Sequence, residues 1–211
     1  MSKGRLLLIN VVGMVVVLGL IAAGGYFYYE HQNYVKTDDA VVSADINQIV
    51  ATNSGLLTNW TAKEGEVVTG NQELGKISTG QQGLPVDSMA KGTIIKNEAK
   101  TNQMVQAGQV LAQTADMDHL YITANIEEDQ LNNIEIGDNV DITVDGDSEA
   151  TFNGQIEEIG YATNSVFSAL PSQNSNGTYT KVTQKVPVKI SVENPSSKVL
   201  PGMNAEIKIS I

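Results

Sequence analysis

Alternating carboxylates are the residues of this chain whose spacing most suggests chemistry. Asp145, Asp147 and Glu149 are two positions apart, with Asp141 nearby. Oxygen donors of this kind suit Ca²⁺, but the segment lacks the ligand spacing of an EF-hand. Asp145-Gly146-Asp147-Ser148 also fits a hairpin turn, and that is the preferred reading. General acid–base chemistry would fall to His31 or His119, the two histidines. His119 closes Asp116-Met117-Asp118-His119, which reads as a turn pair rather than a base. No nucleophile elbow and no phosphate-cradling glycine loop is present. With no cysteine there is no thiolate metal site, disulfide or lipoprotein attachment. Trp60 reads as a half-buried strand residue rather than a partner-binding anchor. The expectation is a protein without catalytic, cofactor or metal residues, and not an enzyme.

What would position any function is first a greasy segment. Leu6 to Tyr29 runs 24 residues without a charge. As a helix it spans roughly 36 Å, against a hydrocarbon core of about 30 Å. Lys3 and Arg5 precede it, so the N-terminus is expected in the cytoplasm and the rest outside. Tyr26, Phe27, Tyr28 and Tyr29 would form an interfacial aromatic belt. The run is too long and too aromatic at its end for a cleaved signal peptide, despite Ala22-Ala23-Gly24. The net charge of −11 is uneven, with no Lys or Arg between Lys100 and Lys181. That region would repel phosphate backbones, which excludes nucleic acid as a partner.

Beyond the run the signals are short strands. Asp141–Val144, Val186–Val192 and Ala205–Ile211 alternate with period two, and turn residues recur between them. One brief helix is expected at Glu127–Asn132, its acidic first turn suiting the helix dipole. Phe167 to Thr180 is polar and aperiodic, a surface loop.

A duplication is the most specific internal pattern. Gly55-Leu56-Leu57, Glu64-Gly65-Glu66-Val67-Val68, Gly70 and Leu74 are answered by Gly92-Thr93-Ile94, Thr101-Asn102-Gln103-Met104-Val105, Gly108 and Leu111. Gly55 to Leu74 and Gly92 to Leu111 are both 19 residues, with the third glycine one place out of step. Glycine is expected to supply positive φ where the chain reverses. Neither copy can bury its apolar face alone, whereas a pseudo-twofold pair can.

These copies resemble the half-motifs of biotinyl/lipoyl-like domains. A carrier domain needs a lysine on the turn joining its halves. Ser78 to Met89 has none, and Lys76 and Lys91 lie in flanking strand regions. The other use of the fold is in membrane fusion proteins, where a long helical hairpin usually fills the junction. Twelve residues here, with Gly80, Gly83 and Pro85, cannot build one.

Anchor, repeat and later strands together resemble the HlyD/EmrA-type membrane fusion (periplasmic adaptor) family, in a short form lacking the helical hairpin. Tyr34-Val35-Lys36-Thr37-Asp38-Asp39-Ala40 is similar to the family's membrane-proximal motif, with Tyr34, Thr37, Asp38 and Ala40 as its candidate residues. Leu120–Leu131, Ile136–Val140, Phe152–Ile156 and Leu200-Pro201-Gly202-Met203 resemble its β-barrel. The resemblance implies a mainly β fold. Residues 1–5 would be a cytoplasmic tail, 6–29 a transmembrane helix, and 30–50 a linker and first strand. Residues 51–114 would form a lipoyl-like β-sandwich from halves 51–77 and 90–114 joined by loop 78–89. Residues 115–211 would form a small β-barrel with loop 167–180. Gly55, Gly65, Gly70, Gly92, Gly108, Pro201 and Gly202 are the expected fold-defining turns. The implied function is a single-pass adaptor in the cell membrane, partnered by an integral membrane transporter, either a multidrug exporter or an ABC exporter. It would assemble as a homo-oligomer, and no outer-membrane channel is expected as a partner. The alternative is a membrane-tethered extracytoplasmic binding protein without a transporter.

Overall fold

The computed structural model of the chain describes residues 3–80, 82–167 and 183–211. Among the described residues the one α-helix, α1 (Lys3–Asn33), passes without a linker into strand β1 (Tyr34–Ser43). Where its side chains are described, from Val12 onward, the apolar ones are exposed all round: Val12, Met14 to Leu18, Leu20, Ile21, Tyr26 and Tyr28. Among the described residues no helix is long and apolar enough to cross a membrane. The uncharged run from Leu6 begins before the first described side chain.

The chain next builds eight short strands: β2 (Ile46–Val50), β3 (Gly55–Thr58), β4 (Val67–Val68), β5 (Glu73–Ser78), β6 (Gly83–Asp87), β7 (Gly92–Asn97), β8 (Gln103–Val105) and β9 (Val110–Ala115). They form two four-stranded sheets, β2-β9-β7-β4 and β6-β5-β3-β8. Advancing or retreating every strand by four converts one order into the other, the signature of a pseudo-twofold axis. Each sheet takes two strands from each half, so the copies interleave rather than stack. Equivalent positions lie 37 apart (55 to 92), and Leu57/Ile94, Val68/Val105, Leu74/Leu111 and Ile49/Val86 are all buried in one core.

Backbone hydrogen bonds obey the same relation. Gly65 N–H donates to Ile94 O at 2.8 Å, and Asn102 N–H to Leu57 O at 2.7 Å. Asn71 N–H donates to Ser88 O at 2.7 Å, and Gly108 N–H to Ala51 O at 2.8 Å. The left-handed positions are Gly65 (φ 84°) with Asn102 (φ 66°), and Asn71 (φ 61°) with Gly108 (φ 84°). The one-place slip of the third glycine thus has a cause: Asn71, not Gly70, matches Gly108, because asparagine also tolerates φ > 0. Gly55 and Gly92 serve a different purpose from the expected positive φ. A Cβ on Gly55 would lie 2.4 Å from Ser78 O, and one on Gly92 3.0 Å from Ala115 O, again equivalent atoms.

Five further strands follow among the described residues: β10 (Tyr121–Glu127), β11 (Asn139–Val144), β12 (Thr151–Ile159), β13 (Lys185–Ser191) and β14 (Asn204–Ser210). With β1 they close a six-stranded barrel in the order β1-β10-β13-β12-β11-β14. Of the segment 30–50 expected as linker and first strand, β1 thus belongs to the barrel and β2 to the sandwich, which is inserted between two barrel strands. Alternation drives this closure: Ile122, Ala124 and Ile126, Val140, Ile142 and Val144, Val186, Val188 and Ile190, and Ala205, Ile207 and Ile209 all point inward. Ala40 faces both Ala124 and Ala205 on adjacent strands, and three small side chains at one level suit a narrow bore.

Three expectations are revised. Glu127–Asn132 is not a helix: Glu127 ends β10 opposite Lys185, and only a 3₁₀ turn follows at Leu131–Asn133. The strand ladder claims the residue that would have opened the helix. Asp145–Asp147 is likewise a 3₁₀ turn rather than a two-residue hairpin. The junction 78–89 is not loop throughout, since it holds β6, which pairs with β5 across the connection 79–82. Of the expected loop 167–180, residues 168–180 lie outside the described residues.

Gly55→Ala should cost about 1–3 kcal/mol, because the new Cβ meets backbone that cannot yield. Gly83→Ala is the control, its Cβ meeting nothing nearer than the Lys76 side chain at 3.7 Å. Urea unfolding of the two variants, followed by circular dichroism, compares them. Equal midpoints would refute the close-approach account.

Candidate functional site

The segment Tyr34–Ala40 is built into the barrel wall next to α1. Its pairing with β14 shifts register between Thr37 and Ala40, a β-bulge that turns Asp39 sideways. Thr37 Oγ1 accepts the Asp39 N–H at 3.1 Å and donates to Asn125 O at 3.4 Å. Asp39 then accepts from Asn125 Nδ2 at 2.9 Å and from Lys185 Nζ at 2.7 Å. One side chain so ties together β1, β10 and β13. The Tyr34 ring lies under Lys208 Nζ, 3.7 Å from its centroid. Ala40 is buried, while Asp38 is exposed. These contacts fix the shape of the strand rather than present a reactive group.

The turn joining the sandwich halves is exposed, with Gly80 at φ 94° and Thr79 N–H donating to Gln82 O at 3.1 Å. Lys76 sits in β5 with Glu73 as an ion-pair partner, and Lys91 pairs with Asp118. Neither amine stands on the turn.

Two crossings connect the modules, Ala44–Asp45 and Asp116–Leu120, joined by the hydrogen bond from Asp116 N–H to Asp45 O at 3.1 Å. Beside them a groove of about 450 Å³ opens between Thr93, Ile94 and Ile95 of the sandwich and Met117, Leu200 and Pro201 on the barrel side. The Leu200–Met203 turn is held against β1, with Gly202 N–H donating to Val42 O and Val42 N–H to Met203 O, both at 2.8 Å. Gly202 takes φ 92° there, directly after Pro201. Sequence reasoning missed this groove. Its apolar residues come from three separate segments, and only exposed Leu200 within a polar turn hints at it.

The histidine and carboxylate candidates are held in local contacts. His119 Nδ1 lies 2.8 Å from Asp116 Oδ2, and its ring is 82% exposed. Asp116 raises the imidazole pKa, and His119 in turn lowers that of Asp116. Asp147 accepts from Ser196 Oγ at 2.7 Å and Lys198 Nζ at 3.0 Å, so it braces the β13–β14 connection. Among the described residues no group of three or more His, Cys, Asp or Glu side chains could hold a metal ion. Trp60 is more buried than expected: its Nε1–H donates to Asn97 Oδ1 at 3.0 Å, its pseudo-twofold mate, and its ring covers Gly75.

Hydrogen bonds donated by Lys185 and Asn125 hold the Asp39 carboxyl below its ordinary pKa. A carboxylate shifted down on folding stabilises the fold above its unfolded pKa of about 3.9, and the contribution fades as pH falls through the lower folded value. Asp39→Asn should therefore reduce stability near neutral pH, with the gap closing below about pH 4. The pair is 39% exposed on both sides, so solvent screening keeps the effect small. Urea titrations across that range decide it, and a gap independent of pH would count against the Asp39–Lys185 account.

Comparison with known proteins adds the following. Residues 45–116 match a family model described as the YhbJ barrel-sandwich hybrid domain, and residues 119–210 match an AAEA-like beta-barrel domain. YhbJ of Bacillus subtilis (strain 168), named as an efflux system component, is 57% identical over 210 residues, covering 100% of this chain and 95% of that protein. Multidrug export protein EmrA of Haemophilus influenzae is 30% identical over 182 residues, covering 84% of this chain. The chain spans only 46% of that EmrA's length. Among solved structures, membrane fusion protein Spr0693 from Streptococcus pneumoniae R6 shares the fold at a TM-score of 0.59, with 13% identity over 84% of this chain and 98% of that one.

Proposed function

The chain belongs to the HlyD/EmrA-type membrane fusion family, in a form without the helical hairpin, and on that premise we propose that it is a membrane-anchored adaptor subunit of an efflux system. The observation that carries the reading is the continuity of three parts. An apolar helix runs straight into a closed barrel, and the barrel holds an interleaved sandwich whose joining turn bears no amine. Leu6–Tyr29 is the anchor in this reading, with Lys3 and Arg5 keeping the N-terminus cytoplasmic and both β modules outside. A helix apolar on every side is at rest in hydrocarbon rather than in water.

Its partner is an integral membrane transporter, a multidrug exporter or an ABC exporter, and copies of the chain assemble around the exit path. The work is binding and alignment, with no covalent chemistry. Four residues at the tip of the sandwich give no arm toward an outer-membrane channel, so none is assigned as a partner. The barrel and sandwich then act as a short collar above the membrane surface.

Affinity purification of the tagged full chain from its own membranes in mild detergent tests the assignment. A polytopic transporter should co-purify, with its recovery increased by crosslinking in intact cells. Recovery of the chain alone under both conditions would sink it.

A further inference from the structure

The two ends of the barrel differ in what they expose. β1 begins at Tyr34 opposite Ser210 of β14, and β10 ends at Glu127 opposite Lys185 of β13. β12 ends at Ile159 opposite Val188, and β11 starts near Ile209. The connection 128–138 and the described residues 160–167 and 183–184 therefore lie at the α1 end, whereas 145–150 and 192–203 open toward the sandwich. Ile211 joins the first group, since its N–H donates to Asn33 O at 3.0 Å. At the α1 end Ile136, Tyr161, Val166 and Ile211 are all exposed, Tyr161 at 98%. Large apolar side chains thus project from three separate segments around the point where the helix leaves.

We propose that this end of the barrel is a lipid-contacting surface, with Ile136, Tyr161, Val166 and Ile211 dipping into the headgroup layer of a zwitterionic bilayer. The inference rests on the anchored reading of α1 and goes beyond it, because an anchor alone could leave the barrel free of the surface. Geometry brings the surfaces together. From Tyr28 to Asn33 the helix rises about 8 Å. The headgroup layer on each side is about 5–8 Å thick. With the helix aromatics at the hydrocarbon boundary, β1 starts at the outer edge of that layer, where Ile211 N–H donates to Asn33 O.

The chemistry of the projections favours a soft medium over a protein face. A stable protein interface needs about 800 Å² of continuous surface per partner. Single side chains on separate turns do not supply it, whereas a bilayer deforms around each one. Tyrosine, with an apolar ring and a polar tip, favours the membrane interface. Glu128 and Asp129 share the β10–β11 connection with Ile136 and are exposed. They would be repelled by an anionic leaflet, which is why the lipid class is zwitterionic. Contacts on several sides of the helix would fix the tilt of the barrel relative to the membrane.

The absence of native cysteine allows single-site spin labelling of the full chain in phosphatidylcholine vesicles. Labels at Tyr161→Cys and Ile136→Cys should show several-fold higher accessibility to oxygen, relative to a water-soluble nickel chelate, than a label at Leu200→Cys on the opposite end. A label at Val17→Cys reports the helix. If it is shielded while positions 161 and 136 match position 200, the anchor stands and the lipid contact is refuted. If it is itself open to the chelate, the anchored reading fails and the lipid contact fails with it. Shielding of position 161 only in native membranes, and not in pure lipid, would assign the surface to a protein and overturn the proposal.

Discussion

Everything in the sandwich depends on the exchange of strands between two half-motifs. Because each sheet draws two strands from each copy, neither half can exclude water from Leu57, Leu74, Ile94 or Leu111 without the other. Burial of such side chains contributes about 1.5–3 kcal/mol each, and none of it is available to an isolated half. The pseudo-twofold hydrogen bonds from Gly65 and Asn102, and from Asn71 and Gly108, hold the halves in register. The turn between β5 and β6 lies outside this arrangement. Changing its length alters loop-closure entropy only slowly and leaves the core untouched. That independence explains how a family that usually carries a long hairpin at the junction can include a member with a four-residue turn.

The barrel depends on a different constraint, closure through a strand that precedes the sandwich in the chain. β1 sits between β10 and β14, so the module that continues from α1 is stitched to residues 78–84 positions away in β10 and 163–176 positions away in β14. Asp39 illustrates this, with its carboxylate held by Lys185 across 146 residues. Inserting the sandwich between β1 and β10 leaves two crossings between the modules. Any movement of one relative to the other must pass through Ala44–Asp45 and Asp116–Leu120, beside the apolar groove at Ile95 and Leu200.

Period-two alternation at Val140, Ile142 and Val144, or at Ala205, Ile207 and Ile209, made the late strands legible, since one face of each is buried. The duplication was legible for the same kind of reason: repeated apolar positions at constant spacing mark repeated structure. Less legible were features whose partners are remote. Thr37-Asp38-Asp39 resembles a hydrated stretch after the membrane, and only the bulge shows that Asp39 turns toward β13. β6 was hidden within the junction because Gly83 and Pro85 read as turn residues, yet an edge strand tolerates both. Local helix preference at Glu127–Asn132 yielded to a ladder whose other side is Lys185.

By itself the sequence determined the apolar run, the absence of thiols and of a carrier lysine, the repeat, and the family, because each is a property of residue type and spacing along the chain. Tertiary structure alone decided that the repeats interleave, that Asn71 stands where a glycine was expected, and which end of the barrel faces the helix. It also decided that Gly55 is required by Ser78 O rather than by φ. The reason is physical: spacing encodes which face of an element is buried, whereas close approaches and end-to-end placement depend on atoms contributed by distant strands.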